Sequence, residues 1–355
     1  MKKKVSLKDV ARHVGVSTAL VSYVVNGKEK KARVSQQMVQ KIRKAAADLK
    51  YHPNMIAKSL KSGRTNTIGL IVADISNPFF SNIARIIEDE AHKLGYVVIF
   101  GSSDENSKKQ HDLINYFLNR QVDAFILTPA AGSEDQINLL KKRGIPVVLI
   151  DRYFNDVDAD CVRIDNFQAA FKAVQHLIDN GRKKIAMVSY SHPMAHMKDR
   201  VNGYIEALKQ NKIRPNKEWH IEASYTNMVQ DIEDGLNKLL VPLSIDAILF
   251  ASNSLAVRGL ARIQQNYAVV PDQVAVITFD ETEVFELFYS PITFISQSVH
   301  EIGKEAVRLV GERIRNERKG SIKKVVDANL VIRESCGVQL KLTNQRKTRN
   351  NFIKI

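Results

Sequence analysis

Five polar residues stand at, or just past, the ends of apolar runs, and their types are those that hold a hydroxylated ligand. Asp74 closes Ile68-Gly-Leu-Ile-Val-Ala, Asp151 closes Val147-Val-Leu-Ile, and Asp280 closes Val274-Ala-Val-Ile-Thr-Phe. Ser189 ends Ile185-Ala-Met-Val, and Asn253 follows Ile245-Asp-Ala-Ile-Leu-Phe-Ala251. Carboxylates accept hydrogen bonds and an amide both donates and accepts, so the set suits neighbouring hydroxyls. Any one of them alone reads as an ordinary surface polar group. Five at successive strand ends predict a pocket, because open parallel sheets bind ligands beyond the carboxyl ends of their strands. Two other chemistries are weaker. Asp151 and Asp280 as an acid/base pair for glycoside hydrolysis need a defined separation that spacing in the chain does not supply. His192 and His196 are four apart with Asp199 nearby, a metal-like spacing, but Pro193 breaks the helix that would align them, and a loop is expected instead. No metal and no cofactor is expected.

The runs that carry these residues read as buried parallel strands, being apolar almost throughout. Between them lie helical patterns. Pro78-Phe-Phe opens a helix with Ile83, Ile86, Ile87 and Ala91 on one face, closed by Gly95. A strand at 96–100, a helix over 107–120, a strand at 124–128, a helix to Arg143 and the 147–151 strand follow. The rhythm restarts after Asp165-Asn166 with helices over 167–180, 199–211 and 254–266. Strands at 185–189, 245–251 and 274–280 alternate with them. Such alternation predicts an α/β core of two doubly wound parallel-sheet lobes.

The first fifty residues follow another pattern. Leu7, Val10, Ala11 and Val14 form one apolar stripe at helical spacing, Gly15 can end that helix, and Ser17 can cap the next. Leu20, Val21, Val24 and Val25 give the second helix its buried face, stopped by Asn26-Gly27. Val34, Met38, Val39, Ile42, Ala45 and Leu49 give a third. Two short helices about a glycine turn describe a helix-turn-helix, whose second helix enters the DNA major groove. An all-α helix-turn-helix domain is therefore expected at 1–53.

Charge supports the division. Residues 1–64 hold 16 Lys and Arg against 3 Asp and Glu, and residues 339–355 hold 5 basic residues and no acid, so 65–338 is left at −3 of the whole chain's +15. A basic head on a slightly acidic body fits a phosphate-binding module joined to a globular core. The opening Met1-Lys-Lys-Lys-Val-Ser lacks an apolar segment of signal-peptide type, no run approaches a membrane span, and Cys161 and Cys336 make no disulfide framework. A cytoplasmic protein is expected, with a basic, disordered tail at 339–355.

At Tyr51-His-Pro-Asn54, followed by Ala57 and Leu60, the chain resembles the lactose-repressor and purine-repressor family of bacterial transcription factors. Leu7-Lys-Asp-Val-Ala, Gly15-Val-Ser, Val21-Ser and Val24-Val-Asn-Gly carry the same likeness, which extends to about residue 338. The resemblance implies a periplasmic-binding-protein-like core at 67–338, three crossovers between its lobes, and a hinge helix and linker at 54–66. The crossovers would return roughly 293–322 to the first lobe and 325–337 to the second. It implies that Asp151, Arg200, Asn253 and Asp280 contact a small effector, Arg200 coming from the family's R-x-x-G segment at a helix start. Asp74 stands with them at its strand end, Phe79 and Tyr225 offer flat apolar faces to a sugar ring, and Gln297 adds a contact from the return crossover. On DNA, the resemblance assigns Ser6, Ser17, Thr18, Ala19, Ser22, Tyr23, Asn26 and Arg33 to the head's contacts. It assigns Asn54, Ala57 and Leu60 to the hinge, where Leu60 wedges between base pairs in the minor groove.

Two departures stand out. Ser254 occupies the place where most relatives carry aspartate, and Tyr23 the place of an arginine that reads guanine. The loop Lys28-Glu-Lys-Lys-Ala-Arg-Val34 is also longer than usual and offers additional phosphate contacts. Together the residues predict a homodimeric repressor that binds double-stranded operator DNA under control of a small ligand, a sugar or sugar derivative. A secreted sugar-binding protein and a carbohydrate enzyme are the alternatives, and neither accounts for the basic head.

Overall fold

The computed structural model describes residues 5–51, 63–191, 194–266, 268–338 and, as backbone, 351–354. The chain divides into two compact units, Met1–Thr65 and Asn66–Ile355.

The first unit holds α1 (Leu7–Val14), α2 (Thr18–Val25) and α3 (Gln36–Asp48). Their starts and stops are local. Ser6 and Asp9 form a reciprocal capping box on α1, Gly15 ends it at φ 80°, Ser17 Oγ accepts the Leu20 N–H, and Ser35 Oγ accepts that of Met38. Val10, Ala11, Val14, Val21, Val24, Val39, Ile42 and Ala45 make one small core, with Leu7, Leu20 and Val25 half-buried at its rim. The expected hinge segment Asn54–Ser62, with Asn54, Ala57 and Leu60, lies outside the described residues.

The second unit has two sheets. In the first, β1 (Thr67–Val72), β2 (Val97–Ser102), β3 (Ala124–Leu127), β4 (Val147–Ile150), β5 (Asp160–Ile164) and β11 (Lys323–Val326) run parallel in the order β11-β5-β4-β3-β1-β2. The second contains β6 (Ile185–Tyr190), β7 (His220–Ala223), β8 (Ala247–Phe250), β9 (Ala275–Phe279), β10 (Thr293–Ser296), β12 (Asn329–Ile332) and β13 (Asn351–Lys354), in the order β13-β12-β10-β9-β8-β6-β7. Strand β12 runs antiparallel to both of its neighbours, β10 and β13, while the other pairings there are parallel. Helices α4 (Pro78–Lys93), α5 (Ser107–Asn119), α6 (Glu134–Lys142), α7 (Asn166–Asp179), α8 (Ala195–Gln210), α9 (Met228–Leu240), α10 (Asn253–Gln265), α11 (Val284–Leu287) and α12 (Val299–Ile314) complete the layers. Central strands β3, β4, β8 and β9 are buried along their whole length, as their apolar runs require.

The chain crosses between lobes at 165, 297–298 and 327–328, which corrects the expected boundaries. Residues 293–296 stay in the second sheet as β10, where Thr293 to Ile295 register with Ile277 to Phe279. Conversely β11 adds to the first sheet beside β5, so 325–326 belong to the first lobe. A thirteen-residue connection is enough to bring β10 beside β9, where Phe294 and Ile295 are buried. Helix α12 does pack on α4, with Gly303 against Ile86. The expected disordered tail differs at its end, where Asn351–Lys354 lies antiparallel to β12. Strands β5, β7 and β10 to β13 and helices α9, α11 and α12 have no counterpart among the elements read from the sequence. Edge strand β7, with only Ile221 and Ala223 buried, has too weak a pattern to find.

Among the described residues no helix is long and apolar enough to cross a membrane.

Candidate functional site

The carboxyl ends of both sheets of the second unit open onto one cleft. From the first lobe come Asp74 after β1, Asn77, Phe79 and Phe80 at the start of α4, Glu105 after β2, and Asp151-Arg152 after β4. The second lobe supplies Tyr190 at the end of β6, His196, Met197 and Arg200 on α8, Tyr225 after β7, Ser252 and Ser254 around the start of α10, Asp280 after β9 and Gln297 after β10. The cavity at its centre holds about 40 Å³.

Asp151 and Asp280 occupy equivalent places in the two lobes. Each ends the same strand of its sheet with left-handed backbone, φ 63° and 67°, and donates its N–H to the neighbouring strand, to Val162 O and Ile295 O, both at 3.0 Å. Aspartate tolerates that conformation better than most residues, and such backbone is concentrated at functional sites. Both side chains are buried. Burial raises the Asp151 carboxyl above its ordinary value against the opposing charges of Arg152 and Arg200. It pushes Asp280 up to about 6, opposed by Arg200 and by the amide of Gln297, which donates to it.

The two guanidiniums are held differently. Arg152 grips both oxygens of Glu105, and its Nε faces Asp151 Oδ2 at 3.5 Å. Burial lowers its pKa, but the Glu105 charge and hydrogen bonds outweigh that and hold it above the ordinary value. Arg200 Nε donates to Asn166 Oδ1 (2.7 Å), Nη1 donates to Ala251 O (2.6 Å), and its Cζ lies 3.9 Å from the Phe279 ring centroid. Burial lowers its pKa in spite of Asp280 and Asp151. Gln297 Oε1 is buried without a hydrogen-bond partner among the described residues, and Arg152 Nε has only its contact with Asp151. Leaving such an atom unpaired costs about 1–3 kcal/mol, which a donor on a ligand would offset at Gln297 Oε1.

Hydrogen bonds tie the lobes across this cleft. Tyr225 donates to Asp74 (2.9 Å), Asn253 Nδ2 to Asn77 Oδ1 (2.9 Å), Asn77 Nδ2 to Ser254 Oγ (3.3 Å), and Tyr153 to Asp199 (2.6 Å). Burial and the bond to Asp199 push the Tyr153 phenol up to about 12, so it stays a donor at physiological pH.

Seven of the eight residues expected around the effector line the cleft: Asp74, Phe79, Asp151, Arg200, Tyr225, Asp280 and Gln297. Asn253 stands behind it, bonded to Asn77 and capping the Ser254 N–H. Ser189 is a correction: it is buried and shares a 2.8 Å hydrogen bond with His220, outside the cleft. Arg200 lies in the second turn of α8, because the helix begins at Ala195 rather than at 199. His196, read as a loop residue, is helical and lines the cleft; His192 lies outside the described residues. Glu105, Arg152, Asn77 and Phe80 were not anticipated, although Arg152 directly follows Asp151 and Asn77-Pro78 is a readable helix start.

On the first unit, Ser17, Thr18, Ala19 and Tyr23 are exposed along α2 and Ser22 is partly so, Tyr23 at 44 %. The hydroxyl of Ser6 is committed to its capping box, and Asn26 Nδ2 donates to Ser22 O at 2.7 Å. The long loop is ordered by its own bonds, Ala32 N to Lys28 O and Val34 N to Glu29 O, while Arg43 binds Glu29 at 2.8 Å. Its one acid is thereby occupied, and Lys28, Lys30, Lys31 and Arg33 are exposed.

Comparison with known proteins assigns both units. Residues 6–54 match the family of bacterial regulatory proteins of the lacI type, and residues 65–334 match the periplasmic binding proteins and sugar binding domain of the LacI family. The catabolite control protein A of Priestia megaterium is 35 % identical over 88 % of this chain and 93 % of its own. A transcriptional regulator CelR–cellobiose complex superimposes with a TM-score of 0.70 at 25 % identity, covering 94 % of this chain and all of that one. The lac repressor dimer bound to operator and an anti-inducer shares the fold with a TM-score of 0.82 at 23 % identity, over 94 % of this chain and 99 % of that one. A capped helix-turn-helix followed by a two-lobe cleft, matched along nearly the whole length, places the chain in the LacI family of bacterial regulatory proteins, DNA-binding transcriptional repressors with a ligand-binding effector core.

Proposed function

We propose that the protein is a cytoplasmic homodimer whose affinity for double-stranded operator DNA is set by a carbohydrate held between the two lobes. The observation that carries this reading is the cleft itself, where Asp151, Asp280, Arg200 and Gln297 converge beside Phe79 and Tyr225. Acceptor-rich carboxylates with adjacent amide and guanidinium donors suit vicinal hydroxyls, and the two rings suit the apolar face of a sugar. Asp74 and Asn253 act at the inter-lobe bonds. The cellobiose complex of the CelR neighbour supports the ligand class, and the operator-bound lac repressor dimer supports the assembly.

In this reading Thr18, Ala19 and Tyr23 face base edges. Ser17, Ser22, Asn26 and Arg33 hold the phosphate backbone, Ser6 fixes the start of α1 beside it, and Asn54, Ala57 and Leu60 act in the hinge. The units run as head 1–53, hinge and linker 54–66, core 67–338 and basic tail 339–355. The cleft binds without turnover, and no membrane takes part.

A coupling of about 1–3 kcal/mol between ligand and DNA changes operator affinity roughly 5–150-fold, and DNA changes ligand affinity equally. A thermal-shift screen of sugars, nucleosides and purines finds the ligand, since binding to the folded state alone raises stability. Operator titration with and without the hit then tests the function. A hit confined to purines, or one that leaves DNA affinity unchanged, refutes it.

A further inference from the structure

The cleft is lined by four carboxyl groups, Asp74, Glu105, Asp151 and Asp280, against two guanidiniums, Arg152 and Arg200. The fork of Arg152 is filled, and that of Arg200 is partly engaged. Glu105 occupies both terminal nitrogens of Arg152, and Asp151 lies 3.5 Å from its Nε. Arg200 gives Nε to Asn166 and Nη1 to the Ala251 carbonyl. The other places where an anion settles are helix N-termini; those of α4 and α10 are closed by their own side chains, while α8, whose first turn also lines the cleft, has no side-chain cap. At α4, Pro78 has no N–H and the Phe79 N–H goes to Asn77 Oδ1 (3.0 Å). At α10, the Ser254 N–H goes to Asn253 Oδ1 (2.7 Å) and the Leu255 N–H to Ser252 Oγ (3.3 Å). A phosphate entering here meets four carboxyl groups and finds the Arg152 fork already filled, whereas a hydroxyl finds acceptors.

Resting on the carbohydrate reading above, we propose that the cleft selects an uncharged polyol and rejects its phosphate esters, with Glu105 setting that selectivity by occupying Arg152. Bidentate pairing with a planar fork is how arginine recognises either a carboxylate or a phosphate, so Glu105 fills the place a phosphate would take. Like charges brought together at a desolvated site are what make a binding surface refuse a wrong partner.

The test uses the full-length protein and matched pairs at fixed ionic strength: glucose and glucose 6-phosphate, ribose and ribose 5-phosphate, cellobiose and cellobiose 6-phosphate. Thermal-shift titrations give each affinity. The parent sugar that binds is expected to do so about tenfold or more tightly than its ester. Glu105→Gln keeps the shape but removes the charge, and the ratio of parent to ester affinity should shrink by about threefold or more. The ratio is internal to each protein, so a variant merely less stable does not move it. An ester that binds as well as its parent overturns the inference and leaves the carbohydrate reading standing. A ratio unmoved in Glu105→Gln removes Glu105 from the role. No response to any of the six sugars sinks the carbohydrate reading and the inference together.

Discussion

Asp280→Asn should stabilise the ligand-free protein at neutral pH and at the same time blunt its response to the effector. The side chain is 6 % exposed, and burial pushes its carboxyl from an ordinary 3.8 up to about 6. A group whose folded pKa lies above its unfolded value contributes stability that is complete below the unfolded value and lost as pH rises through the folded one. The difference corresponds to about 3 kcal/mol surrendered between pH 4 and pH 7, at 1.36 kcal/mol per pH unit. Asparagine keeps the oxygen that accepts from Gln297, adopts φ 67° readily and carries no charge to desolvate. For a core of this size the variant should therefore melt about 5–10 °C above wild type at pH 7, and the two curves should converge near pH 4. Groups that titrate in both proteins cancel in the difference. Effector affinity moves the other way. Losing one charge-assisted hydrogen bond costs about 1.5–3 kcal/mol, roughly 10–150-fold. In wild type, affinity should fall about tenfold per unit of pH below 6, where Asp280 takes up its proton. Melting curves for both proteins from pH 4 to 8, with and without effector, provide the measurement. Parallel pH profiles, or a variant less stable than wild type at pH 7, would refute the account of Asp280 as a buried, strained acceptor.

Gly203→Ala puts a methyl group 2.2 Å from Phe167 O and 3.0 Å from Phe171 N, both backbone atoms of α7 that cannot rotate away. A loss of about 3 kcal/mol or more in urea denaturation is expected, and a change below about 1 kcal/mol would show that α7 and α8 separate easily. Replacing Lys30 and Lys31 together by Ala should lower the slope of log affinity against log salt by about 0.9 for each phosphate no longer neutralised, with an unchanged slope meaning that the long loop only meets solvent. Tyr23→Arg should change the preferred base at one position per half-site in selection from random DNA, because arginine reads guanine bidentately and tyrosine does not.

The head was legible because its determinants are neighbours in the chain. Ser6 with Asp9, Gly15, and Ser17 with the Leu20 amide are interactions within four residues, and the apolar stripes of α1 and α2 face each other across a three-residue turn. The strands that carry Asp74, Asp151 and Asp280 were legible for a related reason: a strand buried on both faces must be apolar throughout, so the first polar residue after it marks its end.

Other features depend on pairings that no local pattern encodes. Whether β10 stays beside β9, and whether β11 joins β5 across 158 positions, is decided by which sheet edge has room and which apolar side chains lack cover. Ser189 reads as a strand end like Asp74, yet β6 runs on to Tyr190, which lines the cleft, while Ser189 inside the strand bonds His220. Arg152 and Glu105 are 47 residues apart and become one charge-neutral clamp only when β2 and β4 end at the same rim. The amino-acid sequence by itself determined the two classes of unit, the helix caps and the residue types available to bind DNA and ligand, since each follows from periodicity and from bonds spanning a few residues. The tertiary structure alone decided which of those residues share the cleft, which charges cancel one another and which atoms remain for a ligand, because these depend on distances between segments far apart in the chain.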